Sequence, residues 1–284
     1  MLAAAKDGRT TNRLRREQSK RVELGQITPK MQKFLAEAKD RDPFLVVDVD
    51  VVEHNYLELR RLLPLARIFY ATKANPAAEI VRRLVKLGSS FDVASPGEIE
   101  LCLKEGVTPD RISYGSTIKK KSDIAWAYER GVRLYAFDSI AELEKLAAAA
   151  PGAQVFCRVL MECDGAEWPL SKKFGCSPRM AADLLVKARD LGLDPYGISF
   201  HVGSQQTRTA AYEAAIAKVA MLFTDLREAG VKVRMVNLGG GYPVRYRQEV
   251  PEIEDFASAI MGAMVEHFGN ALPEIIVEPG RFIV

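Results

Sequence analysis

Eight short apolar runs recur along this chain, each separated from the next by a stretch patterned as a helix. That alternation restricts the fold more than any other feature. The runs are Arg67–Lys73, Ser90–Ala94, Arg111–Gly115, Arg133–Phe137, Gln154–Leu160, Tyr196–Val202, Arg234–Leu238 and Glu274–Glu278. Between them lie Ala77–Leu87, Pro96–Glu105, Lys119–Arg130, Ile140–Ala149, Pro178–Leu191, Thr209–Ala229 and Ile253–Phe268, predicted as helices. Several open with helix-start chemistry, such as Ser95-Pro96-Gly97-Glu98, and several stop at a glycine, such as Gly88, Gly131 and Gly192. Strands this apolar need cover on both faces, which a parallel sheet with helical crossovers supplies.

Eight such units close a (β/α)8 TIM barrel, and 284 residues suit its usual ~250. A doubly wound sheet would instead place a glycine-rich turn after its first strand. Here the glycine run, Gly239-Gly240-Gly241, follows the seventh. The expected fold class is therefore α/β, a TIM barrel.

Ahead of the barrel, residues 1–42 read as a basic leader ending in a short helix, Thr28–Lys39, with Met31, Phe34, Leu35 and Ala38 on one face. Pro43–Asp48 reads as a strand, and Val51–Leu63 as a helix stopped before Pro64. The barrel domain is assigned to 43–281. The last residues, 282–284, lie in an apolar run without a turn or polar tail, and are expected to begin a further β domain.

Net charge is +3, too small to argue for nucleic acid, and the excess sits in the leader, read as a solvated arm. No apolar stretch approaches a membrane span or follows the basic residues as a signal sequence would, so a cytoplasmic protein is expected. Cys102, Cys157, Cys163 and Cys176 form no C-x-x-C pair and have no histidine at zinc-finger spacing, as expected of reduced thiols with no metal site.

In a TIM barrel the reactive groups gather where the strands end. Those positions hold Lys73, Asp92, Ser95, Arg158, His201, Ser204, Asn237, Gly239-Gly240-Gly241, Glu278 and Arg281. Every strand but the third and fourth thus delivers an acid, a base or an anion-binding group. A lysine at the mouth of a strand is ordinarily solvated, but desolvation between Tyr70 and Asn75 would lower its pKa and free the amine as a nucleophile. Three glycines let backbone amides approach an anion, and Arg281 and Ser204 could bind the same phosphate. Glu278 ends an apolar run and needs a cationic partner to stay ionised, either Arg281 or a protonated ring nitrogen. A lysine, a phosphate cradle, an acid and a flat imidazole together describe a pyridoxal phosphate site.

Five motifs stand in the order found in the fold-type III pyridoxal phosphate decarboxylases, and the chain resembles that family from about Pro43 to Val284. They are Tyr70-Ala71-Thr72-Lys73-Ala74-Asn75, Phe91-Asp92-Val93-Ala94-Ser95, Ser199-Phe200-His201-Val202-Gly203-Ser204-Gln205, Gly239-Gly240-Gly241 and Glu278-Pro279-Gly280-Arg281. The resemblance implies a barrel of the alanine-racemase type and pyridoxal 5'-phosphate as cofactor. It makes Lys73 the Schiff-base lysine, His201 the ring-stacking group and Glu278 the partner of the pyridinium nitrogen. Ser204, the glycines and Arg281 would hold the phosphate and Pro279 and Gly280 would also meet the cofactor, with Asp92 and Arg158 beside Lys73 and Glu98 behind them.

The carboxylate at 278, where alanine racemases use an arginine, favours decarboxylation over racemisation. Leu170-Ser171-Lys172-Lys173-Phe174-Gly175 looks more like ornithine or lysine/ornithine decarboxylases than diaminopimelate decarboxylase. The implied reaction is L-ornithine to putrescine, with lysine or diaminopimelate decarboxylation, or a non-catalytic barrel of the antizyme-inhibitor type, as alternatives. Family members continue into a β domain and pair as homodimers with shared sites, which makes Lys173 an interface candidate. That domain supplies substrate-presenting groups, so these residues alone are expected to hold the cofactor with little turnover.

Overall fold

The computed structural model describes residues 27–38, 43–162, 164–168 and 173–284, and the leader up to residue 26 lies outside them. Helix α1 (Pro29–Glu37) begins where expected, capped by Thr28, whose hydroxyl accepts from the Met31 amide. Helix α2 follows at Val49–Leu62.

Pro43–Asp48, expected as a strand, is not one: no described strand lies alongside to pair with it. Asp48 instead caps α2, accepting from the Asp50 amide at 3.1 Å and from the Thr28 hydroxyl at 2.8 Å. Leu45 is left 84% exposed, a position a paired strand would have covered.

The eight barrel strands are β1 (Ala66–Ala71), β2 (Ser90–Val93), β3 (Ile112–Tyr114), β4 (Leu134–Phe137), β5 (Gln154–Arg158), β7 (Asp194–Ser199), β9 (Met235–Asn237) and β10 (Glu274–Val277). They pair in parallel and close, β10 against β1. Crossover helices are α3 (Ala78–Lys86), α4 (Pro96–Lys104), α5 (Lys121–Glu129), α6 (Ile140–Ala149), α7 (Pro178–Asp190), α8 (Ala210–Glu228) and α9 (Ile253–Phe268). These are seven; α2 completes the ring by packing against α3 and α9. Asn55 on α2 donates to the Phe282 carbonyl at 3.0 Å, tying that helix to the chain beyond β10.

Two short strands were not foreseen. β6 (Ala166–Trp168) and β8 (Ser204–Gln206) pair antiparallel above the barrel mouth.

The strands divide by parity, since alternate side chains face opposite sides. Phe69, Leu134, Ala136, Phe156, Met235 and Ile276 form a cluster of their own inside the barrel, while their strand neighbours join the larger core under the helices. Gly197 belongs to the inner set for want of room, because a Cβ there would lie 2.4 Å from the Met235 carbonyl oxygen. Burying each large inner side chain contributes about 1.5–3 kcal/mol, so the interior is a solid plug that leaves chemistry to the rim.

Candidate active site

Counting in twos from the inner plug to the strand ends reaches Lys73, Asp92, Arg158, His201, Asn237 and Glu278. One periodicity thus fills the barrel and brings to its mouth polar groups that are far apart in sequence. Lys73 lies just past β1, in a 3-10 turn, Thr72–Ala74. Its ammonium meets Asp92 Oδ2 at 3.0 Å. The lysine side chain is 62% exposed in the open mouth, whereas that of Asp92 is 3% exposed.

The Asp92 carboxylate, with Glu278 and Glu98 behind it, holds the Lys73 amine above its ordinary pKa and outweighs desolvation. This reverses the sequence expectation of a depressed lysine, which counted burial but not the acid on the neighbouring strand.

Glu278 sits beyond β10. Burial first, and the Asp92 charge second, push its carboxyl up to about 7. Its partner is the side-chain amide of Asn237 rather than Arg281. His201 is pulled down to about 3 by burial, with Arg158 and Lys73 adding to the effect. Its Nδ1 accepts the Gly203 amide at 2.9 Å, so the ring is neutral at ordinary pH and carries its proton on Nε2. Glu98, raised by burial, accepts the Ala94 amide at 2.8 Å, and Ser95, named among the rim groups, caps α4.

The glycine run is wedged between the loops that carry His201 and Glu278. A Cβ at Gly239, Gly240 or Gly241 would lie 2.5, 2.3 or 2.2 Å from the carbonyl oxygens of Phe200, Glu278 and Gly203 respectively. Gly239 and Gly241 also adopt φ of 67° and 106°, which L side chains avoid. Pro279 and Gly280 brace the lysine turn: the Pro279 carbonyl accepts the Ala71 amide at 3.0 Å, and a Cβ at Gly280 would be 3.0 Å from that of Ala74.

Ser204 opens β8 opposite Trp168, and Gln205 beside it has φ 55°, held by exchanging hydrogen bonds with the Val244 backbone. Arg158 lies 5.1 Å from the Phe174 ring centroid. Arg281 is exposed; it donates to the Tyr246 hydroxyl at 2.6 Å and stands 5.3 Å from the centroid of Trp168.

The family model "Pyridoxal-dependent decarboxylase, pyridoxal binding domain" matches residues 49–284. The chain belongs to the pyridoxal-dependent decarboxylases.

Among relatives of this family, the lysine/ornithine decarboxylase of Selenomonas ruminantium is 40% identical over 85% of this chain and 61% of its own length. Antizyme inhibitor 2 of Xenopus laevis is 36% identical over 88% of this chain and 55% of its own. The crystal structure of lysine decarboxylase from Selenomonas ruminantium superimposes with a TM-score of 0.84 at 38% identity, covering 92% of this chain and 68% of that one. The chain thus spans less than two thirds of the length of these curated relatives.

The site fits a pyridoxal group on its own geometry. A buried carboxyl near neutrality, hydrogen-bonded to a neutral amide, is matched to a cationic ring nitrogen, and a neutral imidazole face and an amine stand at the same mouth.

The two strands that supplied nothing to the sequence list fill their inner positions in ways composition does not advertise. Gly115 follows β3, and Asp138 follows β4 and accepts the Gly175 amide at 2.9 Å. Counting in twos along those strands would have found both.

Proposed function

We propose that this chain holds pyridoxal 5'-phosphate on Lys73 and serves in decarboxylation of a basic amino acid, with L-ornithine to putrescine as the favoured reaction. The environment of Glu278 carries the reading: a buried carboxyl at about 7 ionises readily once a cationic ring nitrogen is placed against it. Bound there, the cofactor supplies a sink for the electron pair left behind when CO2 departs.

The chain's own groups do the rest. Glu278 keeps the proton on that nitrogen, so the sink stays positive, and Asn237 fixes the orientation of the carboxylate. His201, neutral and buried, offers a flat face and adds no competing charge. Asp92 holds the proton on Lys73 Nζ when the amine is free. The glycine run, Ser204 and Arg281 are the groups proposed to border the phosphate. A homodimer, with Lys173 at its interface, belongs to the same reading.

Release of CO2 from ornithine, lysine, arginine and diaminopimelate, with cofactor added and the chain extended by a β domain to the full length of its relatives, tests it. Ornithine or lysine should lead, and Glu278→Gln should lose turnover while keeping the cofactor. A second reading, a non-catalytic regulatory barrel, draws on the resemblance to an antizyme inhibitor and predicts cofactor retention with no CO2 from any of the four.

A further inference from the structure

Gly115 occupies the inner position just past β3, where other strands of the barrel carry Lys73, Asp92, Arg158 or Glu278. Its φ lies outside the left-handed region, so nothing in the backbone requires glycine there. The requirement is space. A Cβ on Gly115 would lie 1.9 Å from Asp92 Oδ1, 3.0 Å from Cγ and 3.5 Å from Oδ2. The whole carboxylate therefore rests over the bare Cα, leaning from β2 across to β3.

The lean is not explained by a hydrogen bond on that side. Among the described residues, Asp92 Oδ1 is buried with no hydrogen-bond partner, whereas Oδ2 receives the Lys73 ammonium. Local geometry holds the glycine still: its amide donates to the Val93 carbonyl at 3.0 Å, and Asp92 pairs in register with Ser113, two residues earlier.

We propose that Gly115 is a positioning residue whose absent side chain provides the space that lets the Asp92 carboxylate reach Lys73. It acts through the carboxylate, by setting its rotamer. Adding one methyl group would turn Asp92 away from Lys73 and leave the amine to Glu278 and Glu98 on the acidic side, with Arg158 and His201 as its other charged or titratable neighbours.

The inference rests on the reading of Lys73 as the functional amine, but its test needs no cofactor. In the cofactor-free chain, the pH midpoint of Lys73 reactivity can be read by competitive acetylation and mass spectrometry. Because Asp92 raises that midpoint, Gly115→Ala should lower it by about one unit, as loss of an adjacent opposite charge does. In the Asp92→Ala background the same glycine substitution should change nothing, and the double variant should recover whatever folding stability Gly115→Ala loses. An unchanged midpoint in Gly115→Ala would overturn the proposal. So would an equal fall in both backgrounds, or a double variant that unfolds as readily as Gly115→Ala, since either would mean that the methyl group collides with something other than the carboxylate. Failure to capture cofactor at Lys73, with the midpoint shift intact, would count against the proposed function alone.

Discussion

Asn237 donates its side-chain amide to Glu278 Oε1 while its carbonyl oxygen accepts the Gly239 amide at 2.9 Å. One side chain therefore joins the acid of the site to the start of the glycine run. Asn237→Ala leaves a buried carboxyl and a buried amide without partners, which costs about 1–3 kcal/mol of stability. It also removes a hydrogen bond that lowers the Glu278 pKa, so that group should titrate higher still. Urea unfolding and a pH titration of cofactor binding measure the two effects separately.

Glu278 and His201 give the cofactor-free fold opposite pH dependences. Glu278 is raised from 4.5 to about 7, so its contribution is present below 4.5 and lost as pH rises through 7. His201 is lowered from 6.5 to about 3, so its contribution is present above 6.5 and lost as pH falls through 3. Between pH 4.5 and 6.5 the two oppose each other. Glu278→Gln should make stability rise with pH across that window, and His201→Phe should make it fall. Chemical denaturation at a series of pH values reads the slopes, and a flat profile in Glu278→Gln would count against the buried, neutral His201.

Gly241→Ala combines a φ of 106° with a Cβ 2.2 Å from the Gly203 carbonyl oxygen. The loop carrying His201 must shift, at a cost of about 2–4 kcal/mol. Thermal unfolding together with cofactor affinity should show both quantities falling. Gly262→Ala on α9, where a Cβ meets nothing within 4 Å, is the matched control and should be neutral or better.

The barrel was legible in the sequence because its period-two and helical patterns are local and every strand is apolar. The places of Lys73, His201 and Glu278 at the mouth were legible for the same reason, each ending such a run, and Asp92 was legible as the one charge inside its run. Gly115 and Asp138 were passed over because one has no side chain to notice and the other spends its carboxylate on a backbone amide. Two readings reversed for the opposite reason, since they depend on neighbours from distant segments. Lys73 is raised by Asp92 across the strand pair, and Pro43–Asp48 has no described strand to bond with. The β6–β8 ribbon, formed by residues about forty positions apart, left too short a pattern to detect.

A second charged cluster joins the β3–α5 loop to the first turn of α6 and should prove purely structural. The Lys119 ammonium, fully buried, meets Glu142 at 2.9 Å and donates to the Ala136 carbonyl at 2.6 Å. Burial draws its pKa down to about 8. Glu142→Gln removes the compensating charge and should destabilise the fold by about 3–5 kcal/mol. Urea unfolding should register the loss, while the residual folded protein still captures cofactor.

Lys73 is the amine proposed to take the cofactor. Incubation with pyridoxal 5'-phosphate, borohydride reduction and peptide mapping by mass spectrometry test it most directly. One stoichiometric label on Lys73 is expected, lost in Lys73→Arg with the fold unchanged. A label on another lysine, or one that persists undiminished in Lys73→Arg, would contradict it.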